Sequence, residues 1–194
     1  MGKREENKAK REQAVLRAAR DVFLSHDYES VTTSQLAEAA GLTTGTFFRH
    51  AGSKAELLIS VYTEVLEHGL AAEKALPASA GLLERAHALI DPIVEATEES
   101  RGNMLAFQRE VLFGTSTGPR RENAIKLIRD FERRIYAYVR GRDIGRDAAR
   151  QVAASIYAIM YMELVRVTID SSEVKNMRGR LHEQIKFIAD GMKL

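Results

Sequence analysis

The chain has no cysteine and no tryptophan in 194 residues, and only 3 prolines. Without cysteine there is no disulfide framework, no thiolate metal site and no cysteine nucleophile. The same absence suits a reducing compartment, and a cytoplasmic protein is expected. Long apolar runs are missing as well. The longest, Val152 to Met162, has 11 residues and includes Ser155, whereas a membrane-spanning helix takes about 20. The start, Met1-Gly2-Lys3-Arg4-Glu5-Glu6, runs straight into further charge and does not read as a secretory signal. No membrane partner is expected. Charge of one sign is also scarce, since 29 Lys and Arg face 27 Asp and Glu. The distribution is less even: Lys3, Arg4, Lys8, Lys10, Arg11, Arg17 and Arg20 precede residue 21 against only Glu5, Glu6 and Glu12. A basic arm ahead of a neutral body is one way to meet nucleic acid, and a solvated helix start is another.

What the sequence does contain is helical periodicity. Val15, Leu16, Ala19, Val22 and Phe23 form one stripe, and Leu57, Leu58, Val61, Tyr62, Val65 and Leu66 a longer one. Similar stripes recur through residues 82–93, 104–113, 125–139, 146–170 and 173–192, with Pro92 expected to kink the first of these. No strand pattern and no internal repeat is visible. The expectation is an all-α chain of about nine helices: a helix-turn-helix domain over residues 1–53, then a helical bundle over 54–194.

The informative stretch is Val31 to His50. Thr32 with Gln35 three residues on is a capping box, so a helix starts there. Gly41 ends it by supplying a tight-turn residue, Leu42 tucks into the turn, and Thr43 can cap a second helix. Ala37 is small enough for the two helices to cross closely, and Phe47 returns to the same core. Two short helices around a glycine-bearing turn make a helix-turn-helix, whose second helix can enter a DNA major groove. Thr43, Thr44, Gly45, Thr46, Arg49 and His50 offer hydroxyls, one close-approach glycine and potential cations, which suits phosphates and base edges. Ser53 and Glu56 form a second capping box. Lys54 then falls in a first helical turn, where the dipole disfavours a cation unless an anion binds there.

Residues 11–58 resemble the DNA-binding domain of TetR-family transcriptional regulators. The resemblance rests on Val15-Leu16, Ala18-Ala19, Phe23, Tyr28, Thr32-Thr33, Leu36-Ala37, Ala40-Gly41-Leu42, Gly45-Thr46, Arg49-His50, Ser53-Lys54 and Leu57-Leu58. It implies DNA contacts from Thr33, Ser34, Thr44, Gly45, Thr46, Phe48, Arg49, His50 and Lys54. Thr33, His50 and Lys54 are assigned to phosphates, and Thr44, Gly45 and Arg49 to base edges. Three positions depart from the family pattern. Phe48 stands where tyrosine is usual, Ala51 where a bulky apolar residue anchors the turn, and Asp27 where glycine is common.

The resemblance further implies a ligand-responsive repressor that binds a palindromic operator in double-stranded DNA as a homodimer. The last two helices would pair with a partner's through Ile156, Val174, Met177, Leu181, Ile185 and Ile188. A pocket for a small apolar or aromatic effector would be lined by Met104, Phe107, Gln108, Phe131, Tyr157, Met160, Tyr161 and Leu164, with Arg109, Glu110, Glu163 or Arg166 orienting a polar end. The alternatives are an architectural or division factor using the same head, and an all-helical metalloenzyme. Glu84 and His87 have Glu-x-x-His spacing, but a second such pair is missing. The five histidines form no metal-ligand spacing, and no nucleophile or phosphate-loop motif is present. Neither metal, cofactor nor enzymatic activity is expected.

Overall fold

The computed structural model describes residues 3–115 and 118–194, with the side chains of residues 3, 4 and 7–9 outside that description. Lys3, Arg4 and Lys8 of the basic arm therefore lie outside the described side chains. The described residues form nine α-helices and no strand: α1 Lys3–Ser25, α2 Thr33–Ala39, α3 Thr44–Ala51, α4 Lys54–Ala75, α5 Leu82–Glu99, α6 Arg101–Phe113, α7 Pro119–Arg140, α8 Arg146–Ile169 and α9 Val174–Met192. Short 3-10 turns stand at Tyr28–Ser30 and Ser171–Glu173. The protein is all-α, as its periodicity requires.

Local chemistry sets the short helices. The Thr32 hydroxyl accepts the Gln35 N–H (3.2 Å), and the Gln35 side chain accepts the Thr32 N–H (2.7 Å), closing the capping box. Gly41 has φ +65°, the left-handed conformation that ends α2. Thr43 caps α3, and the Ser53 hydroxyl accepts the Glu56 N–H (3.1 Å) at the start of α4. Asp27 needs no glycine-like freedom, because its backbone is extended at φ −66°. α5 runs through Pro92 without ending there.

The chain divides into two compact units, and the line does not fall at residue 53. The first unit comprises Met1–Glu64 with Gly102–Ala124, and the second Val65–Arg101 with Ile125–Leu194. The boundary differs from the expected one because α6 and the first turn of α7 supply side chains that the short helices need. Asn103 of α6 is fully buried. Its Oδ1 accepts the Tyr28 N–H (2.5 Å), and its Nδ2 donates to Phe23 O (2.5 Å) and His26 O (3.1 Å). One side chain thus satisfies the end of α1 and the turn after it. A Cβ on Gly102 would meet the Asp27 carboxylate at 2.6 Å, so that carboxylate lies against the first turn of α6, where the helix dipole favours it. Val15, Ala19, Phe23, Leu36, Phe47, Leu57 and Leu58 form the apolar core of this unit. Each large side chain buried there contributes about 1.5–3 kcal/mol.

In the second unit α5 and α8 pack on α9. Met177, Leu181 and Ile185 of α9 and Ile156 of α8 are buried within the single chain. These four were expected at a dimer interface; in the single chain their side chains are already covered by their own subunit. Val174 and Ile188 are half-buried. The apolar surface that stays open is on other faces, at Met162 (55% exposed), Ile169 (84%) and Phe187 (81%). By length and composition α8 could cross a membrane, with mean hydropathy 1.5 over its best 18 residues. Its buried Glu163 argues for a protein core instead, since the carboxylate accepts from Arg180 Nε (2.7 Å) and Gln184 Nε2 (3.1 Å), both on α9.

Candidate nucleic-acid interface

α3 has one buried side and one open side. Phe47 and Ala51 face the core and are fully buried, while Thr44, Gly45, Phe48 and Arg49 are exposed. Thr46 and His50 are half-buried at the edges. Hydroxyl chemistry braces the open side. Thr43 Oγ1 donates to Thr46 Oγ1 (3.0 Å), which also accepts from Arg49 Nη2 (3.3 Å). Nothing lies within 4 Å of where a Cβ on Gly45 would sit, and Gly45 is not among the glycines at positive φ. The fold therefore gives no reason for glycine there, although it costs the helix about 1 kcal/mol relative to alanine. In α2, Ser34 is exposed and Thr33 half-buried, both in the first turn.

Lys54 is placed differently from its expected phosphate role. Its Nζ donates to Tyr28 O and Val31 O, both at 2.9 Å, and lies 4.1 Å from the centre of the Tyr28 ring. Two of three ammonium donors thus point inward, because the carbonyls of the 28–31 turn need partners. Lys54 ties that turn to the start of α4. Arg109 lies 5.9 Å from the same ring and pairs with Glu29 (2.9 Å) and Glu110 (3.2 Å). Burial, then the Glu110 carboxylate, raise the Tyr28 pKa above its ordinary value, which keeps the phenol neutral. Nδ1 of His50 is buried without a hydrogen-bond partner, so a phosphate contact from this ring is left to Nε2.

Two residues that hold the interface escaped sequence reasoning, Asn103 and Arg120. From the first turn of α7, Arg120 Nη1 donates to Ala51 O (2.5 Å) and Nη2 to His50 O (3.1 Å). A signal did exist, because a cation in the first turn of a helix opposes its dipole. The same oddity drew attention to Lys54.

The residues expected around an effector are divided. Met104 and Phe107 are buried in the first unit, where Phe107 stacks on Tyr62 at 5.8 Å, and Gln108 is half-buried nearby in sequence. Arg109 and Glu110 also belong there. Phe131, Tyr157 and Met160 line a cavity of about 20 Å³ in the second unit, together with Leu89, Ile90 and Ile156. That volume admits about one water molecule. Leu164 is buried and Tyr161 half-buried in the same unit, outside the cavity wall. Glu163 is committed to Arg180, with Arg166 at 3.4 Å. An open groove of about 440 Å³ adjoins the cavity through Glu132 and Ala153 and carries Arg129, Arg133, Arg150 and Tyr136. Burial, with Tyr161 and then Glu132 close by, raises the Tyr157 pKa, so its hydroxyl keeps its proton. Among the described residues no group of three or more His, Asp or Glu is arranged to hold a metal. Glu84 instead accepts the Gly81 N–H (2.8 Å), and His87 lies between Asp91 (3.1 Å) and His182 (3.0 Å).

The helix-turn-helix residues match a known family. The family model for bacterial regulatory proteins of the tetR family covers residues 15–61. Residues 15–61 are thus similar to a tetR-family DNA-binding domain. Over 70 residues it is 37% identical to the HTH-type transcriptional regulator TcmR of Streptomyces glaucescens, a match covering 36% of this chain and 31% of that relative. Its fold is like that of a transcriptional regulator from Rhodococcus sp. RHA1, with TM-score 0.70 and 19% identity over 93% of this chain and 96% of that one. It is equally like FadR of Thermus thermophilus, a TetR-family transcriptional repressor solved with lauroyl-CoA: TM-score 0.70 and 16% identity, over 93% of this chain and 94% of that one.

Two substitutions separate fold from DNA contact in this tetR-family domain. Gly45→Ala is expected to raise stability by about 0.5–1 kcal/mol and to weaken DNA binding about tenfold or more, measured by denaturant melts and titration of a bound duplex. Undiminished binding would show that DNA does not approach this position. Lys54→Met is expected to lower stability by about 1.5–3 kcal/mol, because two carbonyls lose a charged donor. The salt slope of DNA binding should stay unchanged. An unaltered melt with a slope reduced by about one would return Lys54 to the phosphates.

Proposed function

We propose that this protein is a cytoplasmic, ligand-responsive transcriptional repressor that binds a palindromic operator as a homodimer. The observation that carries this reading is the open face of α3, where Thr44, Gly45, Phe48 and Arg49 stand on a helix whose other face is locked into a tetR-family domain. Thr44, Gly45 and Arg49 read base edges in the major groove, and Thr46 braces Arg49. The Phe48 ring can meet a thymine methyl but donates no hydroxyl. Thr33, Ser34 and His50 position the phosphate backbone. The reading as a regulator rather than an enzyme is supported by the regulators that this chain resembles.

The open apolar residues of α8 and α9 support dimerisation. Met162, Ile169 and Phe187 form the surface a second copy would cover, and Ala154, Ala158 and Gly179 are exposed and small enough for close helix contact. The effector reading is also sharpened. The apolar cavity shares Glu132 and Ala153 with a groove bearing three arginines, of which Arg133 already pairs with Asp130 and Arg150 with Asp147. That combination suits an amphipathic molecule with an apolar end and an anionic end, with the cavity widening around the apolar end. Lauroyl-CoA, held by the Thermus thermophilus FadR, has this character.

Selection of bound fragments from the source genome tests the function. A few palindromes are expected, with half-sites about 10–10.5 base pairs apart or a multiple of that. Many dispersed sites without a palindrome would instead indicate an architectural factor, and no enrichment would remove the DNA-binding reading. Phe187→Glu should give a monomer by sedimentation with undiminished helicity and bind the palindrome about tenfold or more weakly. A variant that remains dimeric would place the interface elsewhere.

A further inference from the structure

An α-helix leaves its last carbonyls without partners inside the helix. In α3 the Gly52 N–H returns to Phe48 O (3.1 Å). The carbonyls of His50 and Ala51 are both taken by the Arg120 guanidinium, at 3.1 and 2.5 Å. A planar fork that grips two successive carbonyls fixes a helix end in direction as well as distance. The cation also sits at the negative end of the α3 dipole, whereas in its own helix it sits at the positive end. The placement of Arg120 is therefore explained by α3 and opposed by α7.

Two neighbouring facts point the same way. A Cβ on Gly118 would lie 2.8 Å from both carboxylate oxygens of Glu56, so the backbone entering α7 is pressed against the first turn of α4, just beyond the end of α3. Ala51 is fully buried at that corner. Its side chain is a single methyl, and its carbonyl is taken by the guanidinium. The corner is held by hydrogen bonds from Arg120.

We propose that Arg120 is a positioning residue for DNA reading: without touching DNA, it sets the C-terminal end of α3 and hence the aim of Arg49. This inference rests on the DNA-reading role proposed for α3. It extends the functional DNA-binding unit from residue 61, where the family model ends, into the first turn of α7.

The test uses the full chain as Arg120→Lys, Arg120→Gln and, as a control, Arg121→Gln. Arg121 donates to Val111 O (2.9 Å) and Leu112 O (3.5 Å) at the end of α6, so it is an adjacent arginine capping a different helix. The probes are a duplex enriched from a random library by the unmodified protein and a scrambled duplex of equal length. Both Arg120 variants should lose about tenfold on the enriched duplex and less than about twofold on the scrambled one, with the salt slope unchanged. Amide exchange over residues 49–52 should quicken in both. Arg121→Gln should leave the ratio between duplexes and that exchange as they were. Lysine decides the matter, because it keeps the charge and loses the fork. Arg120→Lys binding like the unmodified protein would overturn the proposal, as would Arg120→Gln lowering the salt slope by about one on both duplexes. Unchanged exchange over 49–52 would overturn it too. Failure of the unmodified protein to enrich any duplex would remove the function proposed above, while the exchange measurement would still decide whether Arg120 holds α3.

Discussion

A helix of seven or eight residues cannot satisfy its own ends, and the first unit is built around that constraint. α2 and α3 each leave several N–H and C=O groups without intrahelical partners. Burying the unit removes water as an alternative, and each orphaned group would then cost about 1–3 kcal/mol. The partners come from outside the helices concerned. Thr32 and Thr43 serve the N-terminal ends, Lys54 the 28–31 turn, Asn103 the end of α1, and Arg120 the end of α3. Apolar packing of Phe23, Leu36 and Phe47 makes the unit compact. These polar ties decide its geometry, because hydrogen bonds are directional and dispersion contacts are not.

This distinction explains which parts were legible in the sequence. Thr32 with Gln35, Gly41 and Ser53 act on residues within four positions, so their spacing alone placed the helix ends of the first unit. The all-helical class was legible for a similar reason, since the apolar stripes repeat locally. Asn103 and Arg120 act across 80 and 69 residues respectively, and no local pattern encodes a partner so distant. The two compact units were hidden for the same reason: composition changes near residue 53, but the contacts that complete the first unit come from residues 102–124.

The bundle shows the opposite limit. An amphipathic stripe says that a helix face is buried, but it cannot say by whom. In α9, Met177, Leu181 and Ile185 looked equally suited to a partner subunit and to their own core, and the core takes them. What remains open is Phe187, on a face whose other residues, Glu183 and Gln184 among them, are polar. Read alone that face resembles a solvated one. Pocket residues suffer from the same ambiguity. Phe107 and Phe131 look alike as aromatics on apolar stripes, yet they belong to different units.

Charge, finally, means something different once the ties are known. The sequence places Lys54 beside the recognition helix, where it would add to any attraction for phosphate. The structure turns its ammonium toward two carbonyls and a ring. Arg20 is paired with Glu64, and Arg109 with Glu29 and Glu110. On α3 itself the one exposed full-time cation is Arg49. A face so poor in free cations has little counterion release to draw on. In the proposed function, discrimination would depend on where Arg49 and the threonine hydroxyls point, on a helix whose end is held by the Arg120 carbonyl ties. Under that proposal, the demand for satisfied helix ends and the demand for an aimed reading face would be met by one set of contacts.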